Sequence, residues 1–197
     1  MIVITSNGLS SKQLLADVSM HTQGLSTAVI VPTASNPQHG DNDLPRLKTE
    51  LERLHLSVSW FDFDKDDPHA LFQYDVVEMS GGDPFYLYDS IRRADAEEIL
   101  RHITHERMLI GVSAGAIVLQ KDMRFIARLL AETERNPQCT QTGLGLVDHE
   151  FIPHYSQFCE RYNNFEDRIR QYEDEMHRTV IRMNDGEGML LQEESLR

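Results

Sequence analysis

Short apolar runs recur along this chain, and most are followed by a stretch with helical spacing. That alternation is the strongest constraint on the fold. Ile2 to Thr5, Thr27 to Val31, Ser57 to Phe63, Tyr74 to Met79 and Arg107 to Val112 read as strands. "TAVIV" at 27–31 is apolar throughout, as expected of a strand covered on both faces. Between the runs, Leu9 to Met20 suits a helix, and Leu44, Leu47, Leu51 and Leu54 recur at spacings of three and four. Strands joined by helices form parallel βαβ units, whose crossovers cover the sheet. The expected class is α/β: a three-layer, mostly parallel sheet with helices on both faces.

The second half is less regular. Pro84 to His102 reads as one helix, entered through Asp83 as N-cap and Pro84 at N1. Phe158, Tyr162, Phe165, Ile169, Tyr172 and Met176 mark the apolar face of one long helix. By default such a face packs on its own sheet. Whether the chain is a monomer or a homodimer stays open. His149 to Ile152, Thr179 to Met183 and Gly188 to Leu191 are closing strands. "PTASNPQHGDND" (32–43) and "TERNPQCTQTG" (133–143) read as loops.

Composition narrows the partners. The 197 residues are 40% hydrophobic and 26% charged, and suit a single domain spanning 1–197. A net charge of −13 without a basic run lacks the footprint of a nucleic-acid binder and opposes anionic membranes. "MIVITSNG" does not read as a signal peptide, and no apolar stretch approaches the roughly 18 residues of a membrane span. Cys139 and Cys159 are expected as free thiols in a reducing cytoplasm.

One stretch points to chemistry. In "LIGVSAGAIVL" (109–119), Gly111-Val112-Ser113-Ala114-Gly115 fits G-x-S-x-G between a strand and a helix. A sharp strand-to-helix turn strains its central residue and projects the side chain at the carboxyl edge of the sheet. Small neighbours are needed where backbones come close. The Ala114 N–H at the helix start is placed to form half of an oxyanion hole. A plain small-residue turn is the alternative reading.

A serine nucleophile needs a base. Of nine histidines, His154 in "FIPHY" lies just past a strand end, where ligands gather in open α/β sheets. A carboxylate must then orient the imidazole. Asp185 and Glu187 in "MNDGEGMLL" are the candidates, although Asp-Gly also suits a hairpin turn between the last strands. "EMSGGDPFYLY" ends a strand with Ser80-Gly81-Gly82 before the capped helix, and Gly82 is placed to supply the second oxyanion N–H.

Taken in order, "SGGDPFYLY", "GVSAGAIVL", "GLGLVDHEFIPHY" and "NDGEGMLL" resemble the aspartyl dipeptidase (dipeptidase E) family of serine peptidases, related to cyanophycinase. "VPTAS" after the second strand is similar too. The resemblance implies a class I glutamine amidotransferase-like, flavodoxin-like fold with serine at the elbow. It implies Ser113 as nucleophile, His154 as general base and Asp185 as acid, with Gly82 and Ala114 as oxyanion donors. It also implies a small peptide substrate, such as a dipeptide with N-terminal aspartate, and no metal or organic cofactor. Selecting a carboxylate would require a cation; Arg124, Arg161 and Arg182 are candidates. Asp122 in "KDMR" is read as structural.

The oxyanion segment departs from the family pattern, since Ser80 replaces a glycine and Asp83 an asparagine. An anionic side chain there opposes catalysis unless it turns into the helix cap. That departure keeps a non-catalytic, binding or regulatory member as one alternative. The other is a serine hydrolase acting on an ester or a β-linked aspartyl polymer.

Overall fold

In a computed structural model, which describes residues 1–35, 43–131 and 142–191, the apolar runs become strands. They are β1 (Ile2–Thr5), β2 (Thr27–Val31), β3 (Ser57–Trp60), β4 (Val76–Met79), β5 (Met108–Val112), β6 (Glu150–Ile152), β7 (Val180–Arg182) and β8 (Gly188–Leu191). The helices are α1 (Lys12–His21), α2 (Leu44–Arg53), α3 (Pro84–Arg93), α4 (Glu97–Glu106), α5 (Ala114–Ile117), α6 (Arg124–Ala131), α7 (Tyr155–Arg161) and α8 (Phe165–Met176). Most of the "PTASNPQHGDND" and "TERNPQCTQTG" loops, with Cys139, lies outside the described residues.

Six strands form one sheet in the order β3-β2-β4-β5-β1-β8. All neighbours pair parallel except β8, which runs antiparallel to β1. Alternation along the strands divides the core. Val3, Ala28, Ile30, Val76 and Ile110 pack with Leu14, Val18, Leu47 and Leu51 of α1 and α2. Ile2, Ile4, Val29, Val77 and Leu109 pack with Leu87, Ile91, Leu100 and Ile103 of α3 and α4 on the opposite face. This is the expected three-layer arrangement. The β2-to-β3 and β4-to-β5 connections step in opposite directions on opposite faces, so both crossovers have one hand. Each buried leucine or isoleucine contributes about 1.5–3 kcal/mol relative to exposure.

Three local expectations change. The helix expected over 84–102 is two helices: Asp95 adopts φ 54°, and the Ala96 N–H closes on the Ile91 carbonyl at 3.0 Å. The helix expected over 158–176 is also broken, at Asn164 with φ 56°. Asparagine tolerates that left-handed geometry better than most residues. The aromatic face survives the break, because Phe158 stacks on Phe165 at 5.4 Å and Phe165 and Tyr172 are buried. Finally, β7 and β8 make no hairpin. β7 pairs parallel with β6 in a separate two-stranded sheet, whereas β8 joins the large sheet. The Asp185 turn therefore carries the chain from one sheet to the other. The Gln120 side chain helps seat the small sheet, donating to the Phe151 carbonyl at 3.1 Å and accepting the Phe151 N–H at 3.2 Å.

A carboxylate breaks the apolar pattern of β4. Glu78 of β4 lies in register between Ile30 and Ile110 and is fully buried. Neither carboxyl oxygen has a hydrogen-bond partner among the described residues. Burial pushes its pKa up to about 8, repulsion from Glu50 adds to this, and attraction to Arg46 opposes it. The folded protein therefore keeps a proton that the unfolded chain releases above the ordinary value of 4.5. Stability falls as pH rises from there through about 8. Glu78→Gln is expected to flatten that slope, measured as melting temperature against pH. An equal decline in both proteins would contradict this origin.

Candidate active site

The carboxyl ends of the central strands build a cleft. Ser6 and Asn7 follow β1, Ser35 lies beyond β2, Ser80 to Gly82 follow β4, and Ser113 follows β5. All of them line it, together with Asp43, Leu44 and Leu47 beside α2 and His154 beyond β6. Its space is about 430 Å³, open solvent included.

Ser113 sits at the turn between β5 and α5 with φ 49° and ψ −108°. A non-glycine residue there stores about 1–3 kcal/mol of strain, which the surroundings must offset. Its N–H donates to the Thr5 carbonyl at 3.0 Å, and its carbonyl accepts from the Ala116 and Ile117 N–H groups. The flanking glycines are required sterically. A Cβ on Gly111 would lie 2.7 Å from the Ala116 Cα, and one on Gly115 would lie 2.1 Å from the Met79 carbonyl oxygen. Close backbone approach between α5 and β4 thus holds the serine up.

His154 Nε2 lies 3.0 Å from Ser113 Oγ, and its Nδ1 lies 2.6 Å from Asp185 Oδ1. His154 lies two residues past Ile152 of β6 and Asp185 three residues past Arg182 of β7, and those two strand ends pair with each other. The Tyr155 N–H donates to the Met183 carbonyl at 3.1 Å and ties the two segments together. His154 itself is left-handed, at φ 53°, and its N–H donates to Ser6 Oγ at 2.9 Å. Asp185 accepts further bonds from Ser6 Oγ at 2.8 Å and from Gln157 Nε2 at 2.6 Å. Partial burial works to raise the Asp185 pKa. The Ser6 hydrogen bond, the charge and hydrogen bond of His154, and the Gln157 bond outweigh it, so the carboxyl lies below its ordinary value. Glu187 does not reach the imidazole; its Oε2 accepts the Asn184 N–H at 2.6 Å.

Across the cleft, Gly82 has φ 133°, and a Cβ there would lie 1.9 Å from the Ala34 carbonyl oxygen. The "VPTAS" segment is thus packed directly against the loop expected to hold an oxyanion donor. Among the described residues nothing accepts the Gly82 or Ala114 N–H. Both departures from the family pattern find a place. Asp83 Oδ1 accepts the Phe85 and Tyr86 N–H groups at 3.0 and 3.2 Å, so the carboxylate does turn into the helix cap. Ser80 is buried, with its hydroxyl 3.0 Å from that of Ser35, which donates to the Gly81 carbonyl.

The arginines considered for carboxylate selection are engaged elsewhere. Arg124 pairs with Asp122, Arg182 is held by Glu166 and Glu173, and Arg161 lies over the Tyr162 ring. Ser6 and Gln157 were not singled out by sequence reasoning. Ser6 was within reach of it, because Ser6-Asn7 directly follows the first strand and so sits at a carboxyl edge. Gln157 carries no such signal.

A strained elbow serine, a histidine at hydrogen-bond distance and a carboxylate behind it are the chemical equipment of a serine hydrolase. The sequence profile of peptidase family S51 matches residues 2–197, and the chain belongs to that family; it is a serine-type peptidase. An uncharacterized peptidase of Listeria monocytogenes is 26% identical over 160 residues, covering 79% of this chain and 78% of the relative. One from Pasteurella multocida is 29% identical over 90 residues, covering 45% and 43%. Among solved structures, a Listeria monocytogenes protein provisionally described as peptidase E superposes with a TM-score of 0.75 at 22% identity, covering 98% of this chain and 94% of that one. A peptidase from an acI-B1 actinobacterium gives 0.64 at 18% identity, covering 93% and 80%.

The steric fit of the elbow makes a direct prediction. Gly115→Ala places a methyl group against the Met79 carbonyl. It is expected to cost more than about 2 kcal/mol in denaturant unfolding. Gly145→Ala, at a left-handed glycine (φ 63°) with nothing within 4 Å of its Cβ position, gives the backbone cost of replacing a glycine without a clash. A Gly115→Ala protein no less stable than that control would show that the turn relaxes.

Proposed function

We propose that this peptidase cleaves small peptides, dipeptides above all, through Ser113, His154 and Asp185. The observation that carries the reading is the continuous set of contacts from Ser113 Oγ through the imidazole to Asp185 Oδ1, at 3.0 and 2.6 Å. Ser113 attacks the scissile carbonyl as His154 Nε2 takes its proton. The tetrahedral oxyanion forms between the Gly82 and Ala114 N–H groups. His154 then protonates the leaving amine, the acyl-enzyme forms, and water attacks it by the same route in reverse. Asp185 keeps the imidazole in the tautomer whose Nε2 accepts a proton, and it stabilises the imidazolium that results. Its depressed pKa supports a carboxylate that stays ionised throughout.

Cleft chemistry supports an uncharged first side chain over N-terminal aspartate. The described lining offers Asp43 and neutral groups, with no lysine or arginine. Arg46, three residues along, is taken up by Asp43 and Glu50. The capped Asp83 and buried Ser80 leave the oxyanion position clear, which favours an active enzyme over a non-catalytic one.

Ser113→Ala is expected to lower kcat by about 10^4-fold or more, and to abolish labelling by a fluorophosphonate probe. Retained hydrolysis would end this mechanism. Asp185→Ala should cost about 10^3- to 10^4-fold, whereas Glu187→Ala should leave kcat within about threefold. The reverse order would move the acid to Glu187. For substrate, alanyl and leucyl dipeptides are expected to exceed aspartyl dipeptides in kcat/KM. Preference for the aspartyl series would overturn the cleft-charge argument, and p-nitrophenyl esters far exceeding all peptides would favour an esterase.

A further inference from the structure

The hydroxyl of Ser6 touches two parts of the arrangement at once. It donates to Asp185 Oδ1 at 2.8 Å, the same oxygen that faces His154 Nδ1, and it accepts the His154 backbone N–H at 2.9 Å. Its side chain is fully buried, so both bonds are made without competition from solvent. Ser6 also directly follows β1, the strand that pairs with β5 and so lies beside the elbow. The Ser113 N–H is held by Thr5, one residue away. One short segment, Thr5-Ser6, therefore grips the nucleophile's backbone, the base's backbone and the acid's side chain.

We infer that Ser6 is a positioning residue of the peptidase reaction, holding Asp185 and His154 in register with Ser113. The inference rests on the Ser113–His154–Asp185 reading. Each bond has a separate consequence. The bond to Asp185 fixes the carboxylate's rotation, with Gln157 on the other oxygen as the second restraint. It also draws charge from the oxygen that faces the imidazole. The bond from the His154 N–H satisfies a donor exposed by a left-handed turn, a geometry that non-glycine residues adopt at a cost. Without Ser6 the imidazole loses the anchor that sets its distance to Ser113 Oγ. A displacement of that kind acts on the chemical step and leaves the rest of the cleft lining in place.

The test is kinetic, on Ser6→Ala. The expected result is a fall in kcat of about 10- to 100-fold with KM within about threefold. The acid limb of the kcat/KM profile is expected to move to higher pH, because Asp185, relieved of one donor, stabilises the imidazolium more strongly. A packing role alone would lower the melting temperature and leave that limb where it was. Ser6→Cys keeps the side-chain shape with a somewhat larger atom while weakening both hydrogen bonds, and should show the same pattern if the alanine variant does not fold. Ser6→Ala with kcat within about twofold of wild type, or with lost activity and an unmoved acid limb, would overturn the inference. So would failure of both variants to fold, which would make Ser6 structural. Ser113→Ala separates the two levels: if it stays active, the triad reading itself has failed, whatever Ser6→Ala shows.

Discussion

The close approach of α5 to β4 is the constraint on which the site depends. Gly115 lies so near the Met79 carbonyl that no side chain fits, and its N–H donates to the Ser80 carbonyl at 3.1 Å. That contact fixes how sharply the chain turns after β5, and the turn places Ser113 at φ 49° with its hydroxyl toward the cleft. It also locks the elbow to the loop that follows β4, because Ser80 and Gly82 belong to the strand end that Gly115 touches. The proposed nucleophile and the proposed oxyanion donors are thus set by one packing event. Ala34, pressed against Gly82, extends the same packing to the end of β2.

How much of this was legible in the sequence follows from where the information resides. The large sheet was legible because strands covered on both faces must be apolar, and β2, β4 and β5 are nearly so. The elbow was legible because its steric needs are local: glycines at 111 and 115 answer contacts within the turn and with the adjacent strand. Breaks at Asp95 and Asn164 were not legible, since periodicity continues across both and only the left-handed residue marks the change. The partition of β7 and β8 between two sheets was equally hidden. An Asp-Gly turn reads the same whether it closes a hairpin or spans two sheets.

The constellation was legible in part. Ser113 followed from motif and context; His154 and Asp185 were candidates by position, and only the family resemblance favoured them. Asp185 over Glu187 is a distinction that spacing could not make, because it turns on which side chain faces the imidazole and which turns back to Asn184. Asp83 illustrates the opposite difficulty. Its charge looked adverse beside an oxyanion, yet helix capping, a role equally available to it, takes up the side chain.

The sheets divide the chemistry between them. Ser113 stands on the large sheet, whereas His154 and Asp185 hang from matching ends of the small one. Histidine and acid therefore share one frame, and the serine belongs to another. A relative shift of those frames is felt in the Ser113–His154 gap and at Ser6, whose two bonds tie the His154–Asp185 pair back to the large sheet. The Gln120 amide, bonded twice to Phe151, stands in for a missing strand pairing between the frames. It does not line the cleft, yet it bears on how the two frames are aligned.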